Sequence, residues 1–172
     1  MSTFIPKELK DITSEVAAIL IERKETIAVA ETAAGGLISA ALLAIPGASG
    51  YYYGGLTLYT LAARIAYAGW TQESVKDYKG PTPEIVAGLA DHTRRTLGST
   101  YVVSESGTAG PTGGQSKNRT TGYVALAVSS EKGTATKELN TGLGGDREAN
   151  MVAFAIEAMR LVKEVLKGEA KL

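Results

Sequence analysis

The segment at residues 107–114 has almost no side-chain volume, and this restricts what the chain around it can form. Five of its eight residues are Gly or Pro, and the others are Thr and Ala. It follows residues 101–106, which read as a strand. A glycine-rich loop at a strand end presents backbone N–H groups that can bind an anion such as a phosphate. Such loops also serve as ordinary turns, so composition alone leaves both interpretations open.

Helices and strands alternate along the chain, with a hairpin near its end. Apolar residues spaced three and four apart predict helices over 6–24, 34–45, 61–68, 72–78, 83–97 and 146–166. Short apolar or alternating runs predict strands over 26–30, 52–59, 101–106, 122–129 and 134–140. Thr82 is predicted to cap the helix that begins at Pro83. This order predicts an α/β sandwich with a mixed sheet, in which ligands bind beyond the carboxyl ends of strands.

Length and composition exclude several classes of protein. A chain of 172 residues is expected to form one domain, 1–172, with a core at about 15–166. Its 18 basic and 18 acidic residues cancel, which argues against a general nucleic-acid binder. Without cysteine, and with His92 as the one histidine, neither a thiolate nucleophile nor a metal site is expected. No apolar run approaches a membrane span, so a cytoplasmic protein without a membrane partner is expected.

The run Ala-Glu-Thr-Ala-Ala-Gly-Gly at residues 30–36 leaves a predicted strand and enters a predicted helix. Thr32 is therefore expected at a sharp turn, close to backbone N–H groups. A hydroxyl there can be a nucleophile facing an oxyanion hole, or it can cap the helix. Glu31 could be an acid or base, or a carboxylate with a structural hydrogen-bonding role. Gly35 and Gly36 open the helix at the predicted ligand-binding end of the strand.

Two further elements contain side chains that could act on a ligand. Ser49, in the turn Pro-Gly-Ala-Ser, could assist proton transfer or simply be a turn residue. The tyrosines at 51–53 could stack on a ring or form a surface between subunits. Arg64 lies five residues after Tyr59, on the next predicted helix. It could bind phosphate, stabilise an oxyanion or be a solvated helix arginine, but it could not be a general base.

In this order the elements resemble the CinA C-terminal domain family over about residues 15–165. The resemblance is carried by AETAAGGL at 30–37, PGAS at 46–49, the glycines at 54–55 with Tyr59, GTAGPTGG at 107–114, GYV at 122–124 and GDR at 145–147. It implies a Rossmann-like α/β/α sandwich that is usually dimeric. Stand-alone bacterial members are nicotinamide mononucleotide deamidases, which convert the carboxamide to a carboxylic acid and release ammonia. The resemblance implies neither a metal nor a cofactor.

The family uses a serine nucleophile, a lysine base and an assisting serine in the Pro-Gly-x-Ser turn. By position these correspond to Thr32, Arg64 and Ser49, and Tyr59 completes the implied catalytic set. The implied substrate-binding residues lie in the two glycine elements: Glu31, Gly35, Gly36, Gly107, Ala109, Gly110, Gly113 and Gly114.

The chain departs from the family pattern at the catalytic pair. Thr32 keeps the hydroxyl but adds a methyl group that crowds the attack. Arg64 stands where a lysine is usual, and arginine does not accept a proton at working pH. Losing a general base typically costs about 10²–10⁴-fold in rate. Smaller departures are Ala34, Pro83 and Thr108, where a threonine, a serine and an apolar residue are usual.

Three hypotheses follow. The protein is a slow or altered amidohydrolase that uses Thr32 with another base, such as Tyr59, or Glu31 through water. Alternatively it binds a pyridine mononucleotide without hydrolysing it. The third hypothesis is that the fold serves mainly as an oligomeric interaction module, with the tyrosines buried between subunits of a dimer.

Overall fold

Short runs of β-branched and small apolar residues form a five-stranded mixed sheet. The computed structural model describes residues 4–172, and its strands are β1 (Ile27–Glu31), β2 (Tyr52–Thr57), β3 (Tyr101–Gly107), β4 (Tyr123–Ser130) and β5 (Gly133–Asn140). They lie in the order β2-β1-β3-β4-β5. β1 pairs in parallel with β2 and β3, whereas β3, β4 and β5 pair antiparallel. The predicted mixed sheet is confirmed.

Helices cover both faces of this sheet and make three layers. They are α1 (Lys7–Arg23), α2 (Leu37–Leu43), α3 (Leu61–Tyr67), α4 (Gln72–Lys76), α5 (Pro83–Leu97) and α6 (Arg147–Leu166). α1, α2 and α6 bury apolar side chains against one face, and α5 does so against the other. The Rossmann-like α/β/α sandwich is therefore confirmed. The predicted single domain 1–172 stays a prediction, and residues 1–3 lie outside the described part.

The start of α5 agrees with its sequence signals. The Thr82 hydroxyl accepts a hydrogen bond from the Ile85 N–H at 3.3 Å, and Pro83 is the first helical residue. Gly98 ends the helix in the left-handed conformation, with φ +70°, which glycine adopts without steric cost. Thr82 and Gly98 thus help to satisfy the backbone N–H and C=O groups at the helix ends, which have no partner inside the helix.

The helix predicted over 34–45 begins later than expected. α2 starts at Leu37, and residues 32–36 form a turn that brings Gly36 to φ +102°. Thr32 therefore does not cap this helix, which corrects one of its two predicted roles. The cap is Glu31, whose carboxylate accepts hydrogen bonds from the N–H groups of Gly36, Ile38 and Ser39 at 2.7–3.2 Å. The hydroxyl of Thr32 is left available for other contacts.

Strand direction determines which loops meet. β1 and β3 run in parallel with Glu31 opposite Glu105. The loops that follow the two strands, 32–36 and 107–114, therefore leave the same edge of the sheet side by side. Such a pair of loops beyond carboxyl ends is where open α/β sheets bind ligands. Within residues 4–172, no helix is both long and apolar enough to span a bilayer.

Candidate functional site

A cleft of about 350 Å³ lies at the carboxyl ends of β1 and β3. It brings together both predicted loops and the segment after β2. Its lining comprises Thr32, Ala33, Tyr59, Arg64, Tyr78, Gly80, Pro81, Ser106, Gly107, Thr108, Ala109, Gly110, Thr112, Gly113, Gly114, Arg119 and Arg147. Thr32, Tyr59, Arg64 and the five predicted residues of the glycine loop therefore share one cavity.

Three polar side chains are connected at one wall of the cleft. Thr32 Oγ1 donates a hydrogen bond to Ser106 Oγ at 3.0 Å, and Arg64 Nη2 donates to the same oxygen at 3.5 Å. All three residues are buried. Because the Ser106 oxygen accepts from both neighbours, its own hydrogen is free to point elsewhere. The arrangement is a pair of hydroxyls next to a fixed positive charge.

Arg64 is held rigidly by aromatic rings. Its guanidinium carbon lies 5.1 Å from the ring centroids of both Trp70 and Tyr78. Arg64 Nε donates to the Leu58 carbonyl at 3.2 Å, whereas Nη1 is buried and has no hydrogen-bond partner among residues 4–172. Cation–π contacts of this kind, when desolvated, are worth about 2 kcal/mol. Arg64 is therefore a fixed cation and not a solvated helix arginine.

The glycine loop also lines the cleft. Among residues 4–172, no acceptor is found for the N–H groups of Ala109, Gly110, Thr112 and Gly113. Gly110 adopts φ +95° and precedes a cis bond to Pro111. A row of unpaired N–H groups at a concave surface is suited to an anion.

Asn150 on α6 holds this loop in place. The Asn150 side chain is fully buried, and its Nδ2 donates to the carbonyls of Ala109 and Gly144 at 2.9 Å each. Its Oδ1 accepts from the Thr141 hydroxyl at 2.5 Å. One side chain therefore links the glycine loop to the segment before α6.

Arg147, in the first turn of α6, joins the two sides of the cleft. Arg147 Nη1 donates to the Gly110 carbonyl at 2.5 Å, and Nη2 donates to the Tyr59 hydroxyl at 3.0 Å. Its guanidinium carbon lies 5.8 Å from the Tyr59 ring centroid. Tyr59 is thereby a hydrogen-bond acceptor for an arginine, which orients the guanidinium at the cleft.

The cleft is positively charged although the whole chain has no net charge. Arg64, Arg119 and Arg147 line it, and among the described residues no Asp or Glu does. Arg119 Nε donates to the Lys79 carbonyl at 3.2 Å. Guanidinium groups match the oxygens of phosphate and carboxylate. The cleft is therefore suited to a small anionic ligand.

Several glycines of the loop are required by packing. A Cβ at Gly107 would lie 2.6 Å from both the Phe154 ring and the Tyr123 carbonyl oxygen. A Cβ at Gly113 would lie 2.7 Å from the Arg119 carbonyl oxygen. Real Cβ atoms do not approach backbone that closely. Close packing against neighbouring segments of the same chain thus explains why these two positions are glycine, without any need for a ligand.

Glu31, Gly35 and Gly36 do not line this cleft, although Thr32 and Ala33 of the same loop do, which corrects the predicted placement of those three residues. Glu31 is fully buried, and its carboxylate accepts four hydrogen bonds, one of them from the Ser39 hydroxyl. Gly35 and Gly36 line a second cavity, next to Met151. Since every lone-pair direction of Glu31 is used inside the protein, its structural role replaces the predicted acid–base role.

Ser49 is also displaced from the cleft. It is exposed in a 3₁₀ turn, Ala48–Gly50, that precedes β2. Ile27 at the start of β1 pairs with Tyr52 at the start of β2, so this turn lies at the amino ends of the parallel strands. The cleft lies at the carboxyl ends. Ser49 therefore cannot assist Thr32 of the same chain, contrary to the prediction.

The three consecutive tyrosines have three different environments. Tyr51 is fully buried, and its hydroxyl donates to the Leu42 carbonyl. Burial raises the pKa of Tyr51 to about 12. Tyr52 is half-buried, whereas Tyr53 is 54 % exposed. Only Tyr53 has the exposure that a contact with another subunit would need.

Glu105 was not predicted as a site residue. It is fully buried on β3, and its Oε2 accepts hydrogen bonds from the N–H groups of Thr32 at 3.1 Å and Ala34 at 2.9 Å. Its Oε1 has no partner within the described chain. The pKa of Glu105 is raised to about 7, mainly by burial and also by the nearby Glu31 carboxylate, against the two N–H bonds and Arg64, which lower it.

Ser106, Arg119, Arg147 and Asn150 were likewise missed. Ser106 could have been found from strand alternation, since it is the last polar residue before the glycine loop. Arg147 belongs to the Gly-Asp-Arg motif but lies 37 residues after Gly110. No local pattern predicts that contact. Within residues 4–172, no group of three or more His, Asp or Glu side chains could hold a metal ion.

Comparisons with known proteins agree with this geometry. The model of the CinA C-terminal domain matches residues 9–166. A CinA-like protein of Desulfosudis oleivorans is 31% identical over 156 residues, which is 90% of this chain and 37% of that protein. A CinA-like protein of Desulforapulum autotrophicum is 32% identical over 161 residues, 93% of this chain and 37% of that protein. The chain thus spans 37% of the length of each of these two curated relatives.

Solved structures show the same fold. A competence/damage-inducible protein from Agrobacterium tumefaciens superposes with a TM-score of 0.86 at 24% identity, covering 97% of this chain and 99% of that one. A CinA superfamily protein from Klebsiella pneumoniae gives a TM-score of 0.84 at 24% identity, covering 93% and 98%. The protein is thus an α/β/α domain with a ligand-sized cleft at its carboxyl strand ends. It belongs to the CinA C-terminal domain family.

Proposed function

We propose that the cleft binds a pyridine mononucleotide and slowly hydrolyses its carboxamide, with Thr32 as the nucleophile. The observation that carries the proposal is the hydrogen bond from Thr32 to Ser106 next to the fixed cation Arg64. Hydroxyl, acceptor and positive charge meet at one wall of an arginine-lined cleft. The resemblance to nicotinamide mononucleotide deamidases supplies the substrate class.

The charged groups support binding of a phosphate. Arg119 and Arg147 lie at the glycine-loop side of the cleft, where the unpaired N–H groups of the loop are found. Arg64 lies at the Thr32 side. A mononucleotide with its phosphate at the loop would place its pyridine carboxamide toward Thr32. Tyr59 and Tyr78 line the space between and can contact a ring.

The proposed reaction proceeds through an ester. Thr32 Oγ1 attacks the carboxamide carbon and passes its proton toward Ser106, the group that accepts it in the resting state. The C–N bond then breaks, Ser106 passes the proton from Thr32 on to the leaving nitrogen, and ammonia leaves. Water attacks the resulting threonyl ester, releases the carboxylic acid and returns the hydrogen to Thr32. Overall, one amide and one water become one acid and one ammonia.

Arg64 stabilises negative charge in this scheme and takes no proton. A guanidinium beside the two hydroxyls favours the developing oxyanion. A serine hydroxyl is a poor final proton acceptor, so the first step is slow. We expect a rate about 10²–10⁴-fold below that of an enzyme with a working general base.

One observation favours the second candidate, a protein that binds the mononucleotide without hydrolysing it. The Thr32 hydroxyl donates to Ser106, and no carboxylate, imidazole or amine among the described residues accepts from it. The cleft would then be a binding site alone. Both candidates predict the same complex and differ only in release of ammonia.

Two measurements on the intact chain separate these candidates. Calorimetry with nicotinamide mononucleotide should give saturable heat, and a sensitive ammonia assay should give slow release that Thr32→Ala abolishes. Saturable heat with no ammonia above the Thr32→Ala background supports the binding protein. No heat with any pyridine mononucleotide contradicts both candidates. Thr60→Ala is the matched control, because Thr60 only caps α3 through the Ala63 N–H.

We also propose a cytoplasmic homodimer, as for most members of the family. Tyr53 and Tyr67 are 54% and 66% exposed, and Leu43 is 63% exposed. β2, which carries Tyr53, is an edge strand of the sheet. Sedimentation analysis should give twice the chain mass, reduced to the chain mass by Tyr53→Lys. An unchanged mass for that variant places the interface elsewhere.

A further inference from the structure

Two carboxylates lie side by side beneath the turn that carries Thr32. Glu31 and Glu105 pair across adjacent parallel strands, and both are fully buried. The carboxylate of Glu31 is fully hydrogen-bonded, with four donors. Glu105 has two donors on Oε2 and none on Oε1. A buried carboxyl with an unpaired oxygen beside a second carboxylate is electrostatically unfavourable when ionised.

Thr32 is attached to two consecutive residues of β3. Its N–H donates to the Glu105 side chain at 3.1 Å and to the Glu105 carbonyl at 3.2 Å. Its hydroxyl donates to Ser106. Because neighbouring residues of a strand point to opposite faces, Glu105 holds the backbone from one face while Ser106 receives the hydroxyl on the other. A change in the Glu105 side chain can therefore move the Thr32 hydroxyl directly, because both contacts belong to Thr32.

The charges that act on Glu105 are few. Glu31 on β1 disfavours its ionised form and Arg64 on α3 favours it. α2, whose N-terminal turn it supports, contains no charged residue. β4 places Leu126 opposite it, and α6 packs on this face with apolar residues such as Phe154. With the pKa near 7, both forms of the carboxyl are populated close to neutral pH.

We propose that Glu105 is a positioning residue whose carboxylate form holds residues 32–34 and whose protonation loosens them, which displaces the Thr32 hydroxyl from the cleft. Hydrogen bonds to a carboxylate are roughly twice as strong as those to a neutral acceptor. Ionisation therefore tightens the turn, and protonation weakens both N–H contacts at once. The effect on hydrolysis rests on the proposed function, whereas the effect on the turn does not.

The turn can be observed directly by NMR between pH 5.5 and 8.5. The Ala34 amide is the cleaner reporter, because within the described residues it donates to Glu105 Oε2 alone, whereas the Thr32 amide also donates to the backbone. The Ala34 amide shift should titrate with a midpoint near pH 7. Its protection factor against hydrogen exchange should rise about 5–10-fold across the transition, as expected for a stronger hydrogen bond.

Glu105→Gln keeps an oxygen acceptor but cannot ionise, so the Ala34 amide should no longer titrate. Glu138→Gln, which removes an exposed carboxyl on β5 bound to Lys117 and Tyr123, should leave the titration unchanged. Where ammonia release is measurable, its kcat should rise with pH through the same midpoint in the wild type and stay flat in Glu105→Gln.

An Ala34 amide that does not titrate in the wild type overturns the proposal, even if Glu105→Gln fails to fold. A wild-type midpoint retained in Glu105→Gln overturns it as well. A titrating turn in a protein that binds no mononucleotide upholds the proposal for Glu105 and contradicts only the proposed function.

Discussion

Thr32 donates its hydroxyl hydrogen to Ser106 across 3.0 Å at the carboxyl ends of two adjacent parallel strands. The contact puts a candidate nucleophile next to an oxygen that also faces Arg64. It separates the proposed attack by Thr32 from base catalysis, because no carboxylate, imidazole or amine among the described residues accepts from the Thr32 hydroxyl.

Ser106→Ala removes the acceptor of the Thr32 hydroxyl. We expect ammonia release to fall about 10²-fold, the lower end of the effect of proton-transfer partners, with mononucleotide affinity changed little. Ser104→Ala is the control on the same strand and face, because the buried Ser104 hydroxyl has no hydrogen-bond partner within residues 4–172. Equal losses in the two variants would show that Ser106 acts only through packing.

Arg64→Lys introduces a group that can lose a proton when buried. Combined with Thr32→Ser, it should raise ammonia release by about 10²–10⁴-fold, most strongly at alkaline pH. The same change should lower the free energy of unfolding by about 1–2 kcal/mol, because the ammonium stacks less well on Trp70 and Tyr78. Arg94→Lys, on α5 beside Ser129 and Asp91, is the control. No gain in the double variant would argue against a degenerate amidase site.

Asn150→Leu should loosen the glycine loop. The substitution removes three hydrogen bonds and leaves the carbonyls of Ala109 and Gly144 without that donor. We expect a loss of about 3 kcal/mol in the free energy of unfolding, measured by denaturant titration, and weaker mononucleotide binding by calorimetry. Asn140→Ala removes similar contacts of an exposed side chain, where water can replace them. If Asn140→Ala lowered the free energy of unfolding by a similar amount, burial would not be the reason for the large effect at Asn150.

The buried carboxyl of Glu105 makes stability depend on pH. Its pKa is about 7 in the folded state, against an ordinary value of 4.5 for a solvated glutamate, so between these values the folded protein binds more protons than the unfolded chain. Its contribution to stability is therefore lost as pH rises from about 4.5 through 7. Glu105→Gln should remove this loss. The free energy of unfolding of the variant, relative to that of the wild type, should therefore increase by up to about 3 kcal/mol between pH 5 and pH 8. A pH-independent difference would place the Glu105 pKa outside this range.

Local patterns were sufficient for most of the fold. Thr82 and Pro83 start α5, and the alternation of elements predicts the mixed sheet, because capping and periodicity depend on near neighbours in sequence. The late start of α2 was missed because Glu31, five residues before Gly36, replaces the expected threonine cap.

The site was only partly predictable, because strand direction and distant contacts decide it. Ser49 lies on a glycine-containing turn like the loop at 107–114, but it precedes its strand and so faces the other edge of the sheet. Glu31 and Glu105 are both strand-end glutamates, yet only the tertiary structure shows that one is saturated with donors and the other is not. The cleft arginines come from three separate segments.

A glycine-rich motif usually implies both a folding requirement and a ligand-binding role, and the packing of Gly107 and Gly113 separates the two. Each is confined by neighbouring chain, Gly107 by Phe154 and Gly113 by the backbone at Arg119. A mutational screen scored by folded yield would therefore select the same glycines as one scored by turnover. A retained glycine motif therefore indicates a correctly folded domain. A change of chemistry would instead appear as substitutions at positions 32, 64, 105 and 106.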